Sequence, residues 1–198
     1  VKGKNYFGAK IIPARGVWME IETDTDGTVY CRIDRKRKFP VTSLLRVLGA
    51  KTNEDIQNLF KGNPEMKKII DLTLAKDHAK TVDEAYIEIY KRLRDGDLAT
   101  VDNARTFIQA LLEPNRYDIS RVGRFRFNKR FEKPMDEKAL ERKTLNLDDI
   151  ATTVNHIVTL SVTPDMQADD IDHLGSRRVR FVGELLEARI RLGLTQMK

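Results

Sequence analysis

Residues 17–34, VWMEIETDTDGTVYCRID, decide the fold, because they alternate apolar and polar side chains on both sides of an Asp- and Gly-rich turn. Alternation with a period of two places successive side chains on opposite faces of a strand, and TDTDG supplies the turn chemistry of a hairpin. One face then carries Val17, Met19 and Ile21, joined across the hairpin by Val29, Cys31 and Ile33. The other carries Trp18, Glu20 and Glu22 with Tyr30, Arg32 and Asp34. The only tryptophan of the chain is therefore expected on the polar face. The strand pattern extends upstream through KIIPARG, from Lys10 to Gly16, so the whole stretch reads as β structure.

Beyond Pro40 the period changes to that of helices. VTSLLRVLG groups Leu44, Leu45 and Leu48 and stops at Gly49, and TNEDIQNLF follows with Thr52 or Asn53 as its cap. Thr81 to Glu84 and Asn146 to Asp149 are capping boxes, in which a side chain at each end of the first turn satisfies a free backbone N–H. Thr100 opens a helix that Pro114 ends. RVGRFRFNKR alternates Phe125 and Phe127 against Arg124 and Arg126. It reads as a short strand or extended segment with the phenylalanines in the core. FEKPMDEKALERK reads as a polar, mobile excursion, SVTPDMQ as a connection, and DDIDHLGSRRVR as the lead into a last helix through Val182, Leu185, Leu186 and Ile190. The expected class is α+β: a mixed helical domain with a small antiparallel sheet.

Composition narrows the chemistry. The 198 residues hold 36 Lys+Arg against 30 Asp+Glu, a formal net charge of +6. Such a surplus favours polyanionic partners without selecting one. One cysteine rules out an internal disulfide and a Cys-rich metal site, and the three histidines have no metal-ligand spacing. No apolar run approaches the roughly 20 residues that span a bilayer, and VKGKNYFGAK has no signal core. A reducing, cytoplasmic setting without a membrane partner is expected. The start without Met and the end on a continuing helix read as a piece of a longer protein. No phosphate loop, nucleophile elbow or DxDxD cluster is present, so no independent active site is expected.

Two segments carry the binding chemistry. Between Arg32 and Lys38, five cations fall within seven residues at the end of a strand. Each can neutralise a phosphate and release a counterion, and a solvated turn accounts for the run equally well. Between Asp169 and Arg180, three aspartates precede Arg177, Arg178 and Arg180 at the expected start of the last helix. Cations there oppose the helix dipole by about 0.3–1 kcal/mol each, so nearby anions are required. The aspartates could supply them, and so could nucleic-acid phosphates. His173 reads as a loop histidine of that network.

The blocks IIPARGVWMEIE, RIDRKRKFPVTSLLRVLG, EIYKRLRDGD, NRYDISRVGRFRFNK and DDIDHLGSRRVRFVGELLEARIRLGL occur here in order. In that order they resemble bacterial RNA polymerase β subunits, from about Phe7 onward. The resemblance implies a β lobe over residues 1–168 and the start of the fork over residues 169–198, upstream of the rifamycin-binding segment. It implies a DNA-binding part of DNA-directed RNA polymerase, a nucleotidyltransferase whose catalytic magnesium is held elsewhere, so that this segment needs no cofactor and does not polymerise RNA alone. Trp18 matches the family tryptophan that stacks on an unpaired non-template base. Ile171, Asp172 and Arg177 match the residues of a pocket for a flipped guanine. Arg35, Lys36 and Arg94 match positions near the non-template backbone, and Arg180 sits where the fork approaches the nucleic acid.

The implied partners are DNA, the remaining β subunit, β′, α, ω, a sigma factor and lobe-binding transcription factors, in a cytoplasmic, nucleoid-associated enzyme. Departures from the family pattern are Asp95-Gly-Asp-Leu98 for Pro-Gly-Glu-Pro, Ser176 for Asn, Phe181 for Ser, and a GELLEARIRLGL helix end. A docking platform for transcription factors, using the hairpin and the Glu65–Lys80 region, is the alternative function. A free-standing DNA-binding regulator is a third.

Overall fold

The computed structural model describes residues 6–62, 64–163, 166–177 and 179–197. The chain divides into two compact units, Val1–Met166 and Gln167–Lys198.

In the first unit, β1 (Gly8–Ile11), β2 (Met19–Thr23), β3 (Val29–Ile33) and β4 (Phe39–Pro40) form an antiparallel sheet in the order β1-β2-β3-β4. The hairpin register pairs Met19 with Ile33, Ile21 with Cys31 and Thr23 with Val29, so the expected apolar residues share a face. Met19, Ile21, Val29, Cys31 and Ile33 are buried, and Val17 is half-buried against them. Burial pushes the Cys31 thiol up to about 12, which leaves it a small apolar side chain rather than a nucleophile.

The described helices of this unit are α1 (Val41–Leu48), α2 (Asn53–Asn58), α3 (Pro64–Lys76), α4 (Val82–Leu93), α5 (Val101–Leu112), α6 (Ser120–Arg130), α7 (Glu137–Leu140) and α8 (Leu147–Val162), and α1 to α5 with α8 and the sheet enclose one core. Leu44 and Leu45 of α1, Ile70 of α3, Ile89 of α4, Ile108 of α5 and Val154 of α8 meet in it. The capping boxes Thr81 with Glu84 and Asn146 with Asp149 form as read, Thr100 caps α5, and of the two candidates at α2 it is Thr52 that caps, in a box with Asp55. Helix α1 has Pro40 as its N-cap and no side-chain cap bond. Instead Asp77, from the segment after α3, accepts from the hydroxyls of Thr42 and Ser43 in the first turn of α1 and from the Ala79 N–H. A buried carboxylate thereby ties two helices together. Thr73 does the same for the sheet, accepting from the Val29 N–H at 3.1 Å while donating to the Ile69 carbonyl.

The structure corrects four sequence expectations. KIIPARG is not one strand with the residues that follow. β1 ends at Ile11, and Arg15 forms an isolated bridge with Asp118. Gly16 has φ +115° there, and a Cβ would lie 2.8 Å from the Tyr117 ring, so both conformation and space require glycine.

RVGRFRFNKR is a helix, α6, and its faces are the reverse of those expected. Arg124 is fully buried while Phe125 is 43% exposed and Phe127 half-buried. The Arg124 guanidinium is satisfied inside by Asp149 at 2.9 Å and by the Arg142 and Thr144 carbonyls at 3.1 and 2.6 Å. A fully bonded guanidinium can be buried where a phenylalanine stays out.

The polar segment after α6 is pinned rather than a free excursion. Lys133 bonds Asp148 at 2.6 Å, and Arg142 bonds both Asp149 oxygens. Finally, the last helix begins at Val182 as read, but Arg177 and Arg180 were expected at its start. In the second unit a 3-10 turn (Leu174–Ser176) precedes α9 (Val182–Gln196), so Arg177 and Arg180 lie ahead of the helix rather than in its first turn. Arg178 lies outside the described residues.

Candidate nucleic-acid interface

In the first unit the site begins with backbone geometry. The Trp18 N–H donates to Asp34 Oδ1 at 2.9 Å, and the Asp34 N–H returns a bond to the Trp18 carbonyl at 2.9 Å. Asp34 and Arg35 both adopt positive φ, 47° and 58°, and the Lys36 N–H closes the turn on the Ile33 carbonyl at 3.0 Å. Two consecutive left-handed residues other than glycine are uncommon, and here they turn the chain so that Arg35 comes back over Trp18. Its guanidinium carbon lies 5.1 Å from the indole centroid, within cation–π range.

Trp18 is 37% exposed, on the face opposite the buried residues of the hairpin, as the alternation required. Gly16, Trp18, Asp34 and Arg35 line an open depression of about 370 Å³.

The other cations of the run divide by partner. Arg32 pairs with Glu22 at 2.8 Å, Lys38 pairs with Asp24 and lies 4.6 Å from the Tyr30 centroid, and Arg37 reaches Asp95 at 3.4 Å. Lys38 and the Thr25 N–H hold the Asp24 carboxyl below its ordinary range. Lys36 is exposed and has no carboxylate in ion-pair range among the described residues. The Arg37–Asp95 contact brings the turn after α4 beside the basic turn, and with it Arg94, which pairs with Asp97 at 3.3 Å and lies 5.0 Å from the Phe107 centroid. Arg35 covers Trp18, Lys36 follows in the same turn, and Arg94 is the chain neighbour of Asp95, which Arg37 reaches. The parts played by Asp34, which bonds the Trp18 backbone, and Gly16, which lines the depression, escaped the reading of the sequence. Their signal is the Asp that ends a strand before a basic run, since Asp tolerates the left-handed region.

In the second unit, Asp170 Oδ1 accepts from the N–H groups of Asp172 at 3.0 Å and His173 at 3.2 Å, and His173 Nδ1 accepts from the Gly175 N–H at 3.1 Å. His173 is the loop histidine expected. These bonds shape a turn on which Arg177 Nη2 donates to Asp172 Oδ1 at 2.8 Å. The pair is open to solvent, at 80% for the Asp172 side chain and 62% for Arg177, and Ile171 is 76% exposed beside it. A carboxylate and a guanidinium held side by side present an acceptor edge next to a donor edge, which matches the N1–H, N2–H₂ and O6 pattern of guanine. Arg180 is exposed and precedes α9.

No group of three or more His, Cys, Asp or Glu side chains among the described residues is placed to hold a metal ion. No helix among them is long and apolar enough to cross a membrane.

Residues 4–180 match the family model described as RNA polymerase Rpb2, domain 2. The chain is 43% identical over 199 residues to the DNA-directed RNA polymerase subunit beta of Syntrophomonas wolfei subsp. wolfei (strain DSM 2245B / Goettingen), an alignment covering 100% of this chain and 17% of that protein. It is 40% identical over 206 residues to the DNA-directed RNA polymerase subunit beta of Nocardioides sp. (strain ATCC BAA-499 / JS614), covering 98% of this chain and 17% of that protein. The chain therefore spans about a sixth of the length of the curated relatives it matches. Sheet, helices and sequence agree: the chain belongs to the RNA polymerase Rpb2 domain 2 family.

Proposed function

We propose that the chain serves as the lobe and the start of the fork of a DNA-directed RNA polymerase β subunit, where it grips DNA and does no bond-making chemistry itself. The observation that carries this reading is the half-open indole of Trp18. A large apolar ring stands on the polar face of a hairpin, its backbone tied to Asp34 by two hydrogen bonds, with the Arg35 guanidinium over the ring and Lys36 next in the chain. An unpaired base can stack only on a ring that solvent reaches, and phosphates on either side of that base would meet Arg35, Lys36 and Arg94. A base entering the depression beside Trp18 takes the free face of the ring or displaces the Arg35 guanidinium. The Asp172–Arg177 pair with Ile171 reads as the guanine recognition element of the same non-template strand, and Arg180 as a contact to the nucleic acid near it.

On this reading the rest of the β subunit, β′, α, ω and a sigma factor are the partners, downstream duplex DNA is a further ligand, and the catalytic magnesium is held outside this segment. The setting is the bacterial cytoplasm.

Two measurements test the reading in polymerase assembled with the full-length subunit. Lys36→Ala lowers affinity for a bubble template uniformly across sequences and reduces the slope of log K against log salt by about 1, the signature of one lost phosphate contact. An unchanged slope contradicts a backbone role for Lys36. Asp172→Ala costs about 1 kcal/mol at a single guanine position and little elsewhere, toward the low end for base contacts because water reaches this carboxylate. The same loss with all four bases assigns Asp172 to the turn rather than to recognition.

A further inference from the structure

Trp18 stands one residue outside the sheet, because β2 begins at Met19 and pairing with β1 ends at Ile11 opposite it. The chain that leads into the indole is fastened instead to the connection between α5 and α6. Arg15 and Asp118 exchange backbone hydrogen bonds at 3.0 and 2.8 Å, and Arg15 Nη2 donates to the Pro114 carbonyl at 3.3 Å. Gly16 follows, fitted against Tyr117 so closely that a Cβ would also lie 3.0 Å from the Arg116 carbonyl. Tyr117 is fully buried, and its N–H bonds the Glu113 carbonyl at 2.8 Å. Its hydroxyl has no hydrogen-bond partner among the described residues, so what it offers Gly16 is the ring. Gly16 and Trp18 line the same open depression. A Cβ at Gly16 would have to displace either a ring enclosed in the core or the exposed segment that carries the indole. Close-packed interiors yield little, so the indole segment would move.

We infer that Gly16 and Tyr117 are positioning residues for Trp18: the buried ring, and the glycine that fits against it, set the direction in which the indole meets an unpaired base. Asp34 fixes the Trp18 backbone from one side, and this contact fixes the chain before it from the other. The inference rests on the stacking role proposed for Trp18. Stacking is a contact between two faces, and a ring turned away forfeits it.

The test titrates polymerase assembled with the full-length subunit against a fluorescent bubble template at several salt concentrations. Gly16→Ala is expected to weaken binding at least about 5-fold, the lower end for one base stack. The slope of log K against log salt should stay unchanged, since no phosphate contact is lost. In a Trp18→Ala background the same substitution should change Kd by less than about twofold, because the ring it positions is gone. Tyr117→Phe keeps the ring and should bind as wild type. Tyr117→Leu shortens the side chain without emptying its place in the core, and should weaken binding in the same non-additive way. It decides the matter if Gly16→Ala does not assemble. The inference is overturned, with stacking intact, if Trp18→Ala weakens binding while Gly16→Ala and Tyr117→Leu do not, or if their losses add in full to that of Trp18→Ala. A lowered salt slope in Gly16→Ala overturns it by locating the damage in the basic turn, and a loss in Tyr117→Phe equal to that in Tyr117→Leu does so by assigning the role to the hydroxyl. Wild-type affinity in Trp18→Ala removes the stacking reading itself, and the inference with it.

Discussion

Asp149→Ala is expected to lower the stability of the first unit by about 3–5 kcal/mol, the range for removing one member of a buried ion pair. Asp149 and Arg124 are both fully buried, and they meet at 2.9 Å. The same carboxylate accepts from Arg142 through both oxygens, from Lys133 at 3.3 Å and from the Asn146 N–H at 3.2 Å, where it completes the cap of α8. Removing it strands a buried guanidinium, frees the segment between α6 and α8, and opens a helix end. Attraction within the pair is not the source of the cost, because desolvation consumes most of it. The source is the charge left behind. Replacing both partners, Arg124→Met with Asp149→Leu, should therefore cost less than Asp149→Ala alone. Urea unfolding followed by far-UV circular dichroism measures both. A cost below about 1 kcal/mol for the single change would falsify the assignment of this pair as the clamp on α6.

Trp18→Ala is expected to weaken binding of a bubble template by about 1–3 kcal/mol, the worth of one base stack, or about 5- to 150-fold in Kd. The substitution removes an exposed ring and leaves the backbone bonds between Trp18 and Asp34 in place, so the hairpin should stand. Trp18→Phe should retain part of the affinity, since a smaller ring still offers a stacking face. The loss should vary little with the identity of the stacked base, in contrast to Asp172→Ala. Titration of a fluorescent bubble template into assembled polymerase gives the numbers, and equal affinities for wild type and Trp18→Ala would remove the stacking role.

Much of the fold was legible because its signals are local. A capping box is read within four residues, and the Thr81 and Asn146 caps formed at the expected positions, while Thr52 rather than Asn53 caps α2. The faces of the hairpin followed from alternation alone, including the outward place of Trp18. The α6 segment was not legible for a physical reason. Four residues of Arg–Phe alternation look like a strand whose arginines face solvent, and the residue that draws Arg124 inward is Asp149, 25 positions away. No local pattern announces such a pair. The segment from Phe131 to Lys143 was misread on the same account, its Lys133 and Arg142 being cations recruited to the same buried carboxylate. For the candidate site, residue types and exposure were readable, whereas the left-handed turn at Asp34 and Arg35 that folds the guanidinium over the indole required the structure.

In the proposed role, an unpaired non-template base lies against the Trp18 ring. Photocrosslinking tests it most directly, with 5-iodouracil placed in turn at each unpaired position of the non-template strand of a bubble bound to the assembled polymerase. One position should crosslink, to the peptide that contains Trp18, and the crosslink should be lost in Trp18→Ala. Crosslinks to that peptide from the template strand or the duplex alone, or none from any non-template position, would contradict it.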